Sequence, residues 1–141
     1  MGHTHYWSVK NQLDSDSFGK AQKDCKTICD ILKNKHDIHI QAEYNDDDPP
    51  LFGDNLIKFN GMGDDGCETF FISLYETGYS FCKTARQYYD LAVQCCLLIL
   101  HHYFQENFVI SSDGNKKDWN KAVNLVNVAF TSEYKVEHIK K

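Results

Sequence analysis

Of the side chains able to do chemistry, Arg86 is singular: it is the only arginine in a chain whose other Lys/Arg-type cations are all lysines. A guanidinium is a rigid fork of donors. It grips a carboxylate or phosphate with two parallel bonds and stacks on aromatic rings, where a lysine ammonium is only a point charge. Its surroundings, "FCKTARQYYDLAVQCC" from Phe81 to Cys96, suit an anion. Thr84 and Gln87 form a T-x-x-Q capping box ahead of an apolar run, which predicts a helix start. Lys83 and Arg86 then flank a helix N-terminus, whose free backbone N–H groups bind phosphate or carboxylate. Tyr88 and Tyr89 add flat surfaces. The rival is structural: Asp90, one helical turn on from Arg86, is a ready ion-pair partner.

The stretch "ISSDGNKKDW" follows similar logic. A strand ends at Ile110, a polar loop follows, and a helix starts near Lys116. Ser111, Ser112 and the N–H groups around Gly114 can hold a polar ligand, and Asp113 can accept from a ribose or an amine. A plain turn capped by Asn115 is the alternative. "HTHYW" puts His3 and His5 on one face of a strand and Thr4 and Tyr6 on the other. Two histidines so spaced can ligate a metal, but no third ligand is evident in the sequence, and packing or hydrogen bonding is the commoner use. His101 and His102 fall in the apolar run and are expected at its edge as satisfied polar groups. Cysteines at 25, 29, 67, 82, 95 and 96 contain no C-x-x-C and no Cys/His grouping of zinc spacing. They are expected as free, packed thiols, with Cys67 and Cys82 flanking the candidate site. P-loop and nucleophile-elbow motifs are lacking. Neither a metal nor a cofactor is expected on these grounds.

The chain that must position these groups has 141 residues, enough for one domain with one core. Net charge is −5. It arises in "EYNDDDPPLFGD" at positions 43–54, which reads as a solvated loop and lacks the ligand spacing and glycine of a calcium loop. A nucleic-acid binder usually carries a basic stripe, and only a modest C-terminal excess of lysine exists, so duplex binding is not expected. Nor is a membrane partner, because no apolar run reaches spanning length. "MGHTHYWSVK" lacks a signal-peptide core and, with Tyr6, the myristoylation pattern. A cytoplasmic protein is expected, and a homo-oligomer is compatible with this composition.

Periodicity outlines the elements. His3 to Lys10 reads as a strand and Ser17 to Lys33 as an amphipathic helix, with "DSDSF" supplying N-caps. Ile38 to Tyr44 reads as a short strand before the acidic loop. Asn55–Asn60 and Cys67–Leu74 form a hairpin around "GMGDDG", and Gly78–Cys82 a further strand. Ala85 to Phe104 is apolar on almost every face and predicts a central buried helix. "NFVI" is a strand, Trp119 to Ala129 mark a third helix, and "EYKVEHI" would close the sheet. The expected fold is a single α+β domain, an antiparallel sheet of about four to six strands with about three helices.

In chain order, "MGHTHYW", "FNG", "ETF", "FCKTAR..YD" and "SSDG" resemble the motifs of a family of short proteins from bacteria and their phages, over nearly the whole chain. No settled activity comes with that family, so the resemblance implies shared positions and no mechanism. Those positions are His5, Tyr6, Trp7, Asn60, Glu68, Thr69, Lys83, Thr84, Arg86, Tyr89, Asp90, Ser111, Asp113 and Gly114. Two departures matter. Cys67 stands where His is expected before "ETF", which removes a His-Glu pair. Gln87-Tyr88 replaces the usual Lys-Pro and leaves the helix start less firmly set. Such polar and aromatic positions suit a nucleotide-like ligand: bases stack on rings, phosphates meet Arg, Lys and helix N-termini, and ribose meets Asp or Asn. The expectation is non-catalytic binding of a small anionic, nucleotide-derived molecule. A phage protein that sequesters a host signalling nucleotide, as part of anti-defence, would fit. The alternatives are an enzyme acting on a nucleotide or phosphoester with His5 or Glu68 as acid/base, and an interaction module whose motifs only set the fold.

Overall fold

The computed structural model describes residues 3–44, 47–131 and 139. Among these the elements are β1 (Thr4–Val9), α1 (Ser15–His36), β2 (Ile40–Gln41), β3 (Leu51–Gly53), β4 (Leu56–Gly61), β5 (Phe70–Ser73), β6 (Gly78–Lys83), α2 (Asp90–Phe104), β7 (Phe108–Ser112) and α3 (Lys116–Phe130). The α+β class and the three helices are as expected. "EYKVEHI" falls largely outside the described residues. No helix among them is long and apolar enough to cross a membrane.

The strands form two antiparallel sheets where one was expected. The first has the order β6-β1-β7; the second has β4 between β2 and β3, with β5 also on β4. The division arises after β5, where the chain turns and β6 pairs with β1. The Glu68 N–H donates to the Lys83 carbonyl at 3.1 Å and stitches the two together. The expected strand from Ile38 to Tyr44 shortens to Ile40–Gln41, and β3 arises where only an acidic loop was expected. Its reason is local. Asp54 and Asn55 both take positive φ, 56° and 63°, giving a tight turn that pairs β3 with β4.

Each helix follows its apolar pattern. Asp14 caps α1 by accepting the Ser17 N–H, and Phe18, Ala21, Cys25, Ile28, Cys29 and Leu32 face the core. Asn115 caps α3 in a reciprocal box with Asp118. Every residue of α2 from Leu91 to Leu100 is buried. The helix does not, however, begin at Ala85. The Thr84 and Ala85 N–H groups both donate to the His3 carbonyl, and Ala85 and Arg86 take positive φ of 52° and 60°. Two left-handed residues cannot continue a right-handed helix, so α2 starts at Asp90.

Candidate functional site

Alternation along β1 divides the predicted residues between two sides of one sheet. His5 pairs in register with Cys82 and Ser112, and these side chains point inward. Thr4 faces Lys83, and Tyr6 lies between Phe81 and Ser111 on the outward side.

The inner cluster sits where β1 begins and α2 and α3 start. His5 is fully buried. Its Nδ1 lies 2.8 Å from Ser112 Oγ and its Nε2 2.6 Å from Asp90 Oδ1. The Thr84 hydroxyl also donates to Asp90 Oδ1. His3 stands edge-on to His5 with ring centroids 4.8 Å apart, and its Nε2 is 3.8 Å from Asp90 Oδ2. Trp119 closes the other side, its ring 5.0 Å from that of His5. Burial lowers the His3 pKa, partly opposed by the charge of Asp90. Burial pushes the Asp90 carboxyl up, but the bond and charge of His5 and the Thr84 hydroxyl outweigh it and hold the group below its ordinary value. The sequence left the histidine pair without a third ligand. The fold brings a carboxylate beside it, because Asp90 arrives from 85 residues away in the chain.

Ser112, His5 and Asp90 stand in the order of a nucleophile, a base and an orienting acid. Ser112 Oγ also accepts the Gly114 N–H at 3.0 Å and is buried inside the sheet, so the line braces β1, β7 and α2 together. A Cβ on Gly114 would come within 2.8 Å of the His3 ring and 2.9 Å of Asp118 Oδ2, so a side chain here would push the His3 ring or the Asp118 carboxylate aside.

The outer face is open. Tyr79 and Phe81 are 66% and 54% exposed and lie 6.0 and 6.5 Å from the Tyr6 ring. Asp113 holds Tyr6 in place: Oδ1 accepts its phenol at 3.0 Å, while Oδ2 accepts the Thr4 N–H at 3.2 Å. The bond to Asp113 also raises the Tyr6 pKa. Lys83 and Ser111 complete the surface.

Other predicted residues are committed elsewhere. Trp7 packs edge-on to Phe70 in the core, 5.3 Å away. Tyr89 is buried, and its hydroxyl donates to the Glu68 carbonyl at 2.6 Å. The Glu68 carboxylate accepts the Lys83 N–H at 2.7 Å. Asn60 is buried near the end of β4, with its side chain turned into the β4–β5 loop. Its Oδ1 accepts the Gly61 and Cys67 N–H groups, and its Nδ2 donates to the Cys67 carbonyl and Thr69 Oγ1.

Arg86 pairs with Asp118 and not with Asp90: Nη1 donates to Asp118 Oδ1 at 3.0 Å, with the side chain 61% exposed. The helical spacing that suggested Asp90 fails because residues 85 and 86 are not helical. The expected cradle of helix N–H groups beside Lys83 and Arg86 is lost for the same reason. Asp118 and Gln94 were not singled out in the sequence, and Trp119 only as a marker of the third helix. Gln94 Nε2 donates to the Asp118 carbonyl at 2.8 Å and ties α2 to α3. Asp118 had a usable signal, an acid three residues after an Asn cap.

Among the described residues, a small cleft of about 100 Å³ reaches the outer face at Tyr79, between the end of β5 and the start of β6, while two larger ones lie away from both surfaces. One of about 270 Å³ is lined by Lys26, Lys33, His39 and Phe52 among others. Two of its basic side chains already have partners, Lys26 with Asp30 and His39 with Asp37. No family model, curated protein or solved structure matches the chain.

Proposed function

We propose that the outer face of the first sheet binds a small nucleotide-derived anion without chemical change. The observation that carries this is the pair of exposed rings Tyr79 and Phe81 beside the half-buried Tyr6 on one open sheet face, with Lys83 in the next row. Aromatic rings standing clear of a sheet are stacking platforms for bases. Asp113 fixes Tyr6, so one ring is already oriented before a ligand arrives. Phosphate would meet Lys83 and those guanidinium donors of Arg86 that Asp118 does not use. Sequestration of a signalling nucleotide is the biological use such a site suits. An enzyme reading draws less support, since Ser112 and His5 face the interior.

Calorimetric titration with mono-, di- and cyclic nucleotides tests the proposal. Phe81→Ala should cost roughly tenfold or more in affinity, as loss of one stacked base does. Its thermal stability should stay close to wild type because the ring is exposed. Failure of every nucleotide to bind, together with loss of a dimer in Phe81→Ala by light scattering, would replace the ligand with a second copy of the chain.

A further inference from the structure

The strongest unassigned feature is the inner cluster. We infer that His3, His5 and Asp90 form a binding site for one divalent first-row transition-metal ion of the zinc type, independent of the nucleotide face.

The three donor atoms lie within 4.8 Å of one another. A tetrahedral ion with bonds of about 2.0–2.2 Å needs its donors roughly 3.3 Å apart. His3 Nε2 stands 3.8 Å from Asp90 Oδ2, close to that value, and the 2.6 Å contact from His5 Nε2 to Asp90 Oδ1 is a hydrogen bond that would open by about 0.7 Å as the ion replaces its proton. His3 supplies an independent observation. The side chain is 2% exposed, yet neither ring nitrogen has a hydrogen-bond partner among the described residues. A buried imidazole without partners is costly, and an ion at Nε2 would satisfy that nitrogen.

The groups around the ligands are those a metal site uses. Ser112 Oγ at His5 Nδ1 orients the ring with Nε2 toward Asp90. The Thr84 hydroxyl holds the carboxylate. Gly114 lets the β7–α3 loop close against His3. Two imidazoles and one carboxylate select zinc, cobalt or nickel over magnesium and calcium, which prefer all-oxygen shells. The ion would join the start of β1 to the first turn of α2.

The test is Zn²⁺ titration of the chelator-stripped full-length chain against a chromophoric competitor, beside thermal melts. One equivalent should bind at micromolar concentration or tighter, and Tm should rise with Zn²⁺ but not with Mg²⁺. His3→Gln and Asp90→Asn should each weaken Zn²⁺ binding at least about tenfold, while His39→Gln, on the surface, should not. Circular dichroism checks that the variants fold. Should they not, the wild-type Co²⁺ spectrum decides: visible bands of nitrogen and oxygen ligands support the site, and a strong near-ultraviolet thiolate band overturns it. Absence of a stoichiometric ion overturns it too, as does wild-type affinity in both folded variants, since the cation would then sit elsewhere.

Discussion

At the scale of single residues, the same side-chain type does opposite work according to where the backbone puts it. Asn60 looked like a ribose contact. Instead it spends its amide inside the β4–β5 loop, beside a Gly61 whose added Cβ would fall 2.2 Å from the Asp65 carbonyl oxygen. Asn60→Ala should leave buried N–H groups unpaired at about 1–3 kcal/mol each. Urea denaturation should therefore show a loss of at least about 2 kcal/mol; a loss near zero would mean that water replaces the amide. Arg86 is the converse. Its pairing with Asp118 uses one nitrogen of an exposed fork. Arg86→Lys keeps the charge but not the fork, so nucleotide affinity should fall roughly tenfold or more while Tm changes little. Unchanged affinity with a lowered Tm would make Arg86 only a brace to α3.

At the scale of elements, apolar periodicity located the helices, and local capping chemistry decided where two of them begin. α2 has the fullest burial. Leu97→Ala or Leu98→Ala should cost about 2–5 kcal/mol in chemical denaturation; losses below about half a kcal/mol at both would place that helix at the surface. The start of α1 adds a pH dependence. The backbone N–H of Ser17 holds the Asp14 carboxyl below its ordinary value. A depressed folded pKa means that the unfolded chain binds the proton more readily. Its stabilisation is therefore complete above the unfolded value near pH 4 and is lost as pH falls through the lower folded one. Asn also caps, without a charge. Asp14→Asn should melt below wild type at pH 7, and the gap should close near pH 3. A gap independent of pH would show that the carboxylate charge does not matter to the cap. The α2 start was misread because T-x-x-Q is a local pattern, whereas Thr84 and Ala85 answer to the His3 carbonyl across the sheet.

At the scale of the whole molecule, the six cysteines are all free, five are buried, and only Cys67 is partly exposed. Burial pushes the Cys82 thiol up to about 12 and raises Cys25, Cys95 and Cys96 as well, while a hydrogen bond with Cys96, followed by burial, raises Cys29. A thiol reagent at pH 8 should therefore label Cys67 alone in the native protein and all six in denaturant. Rapid native labelling of Cys82 or Cys95 would mean that the core opens easily. The sequence by itself determined the α+β class, the three helices, the buried character of α2 and the polar loops that cap α1 and α3. These follow from period, composition and capping, which act over a few neighbouring residues. Only the tertiary structure decided that Asp90 faces His5 and not Arg86, that Asp118 takes Arg86, and that the predicted site divides into a buried cluster and an open aromatic face. Those outcomes depend on which strand pairs with β1 and in what register. A partner from the far side of the chain leaves no periodic trace, yet a shift of one residue would exchange the two faces of the sheet.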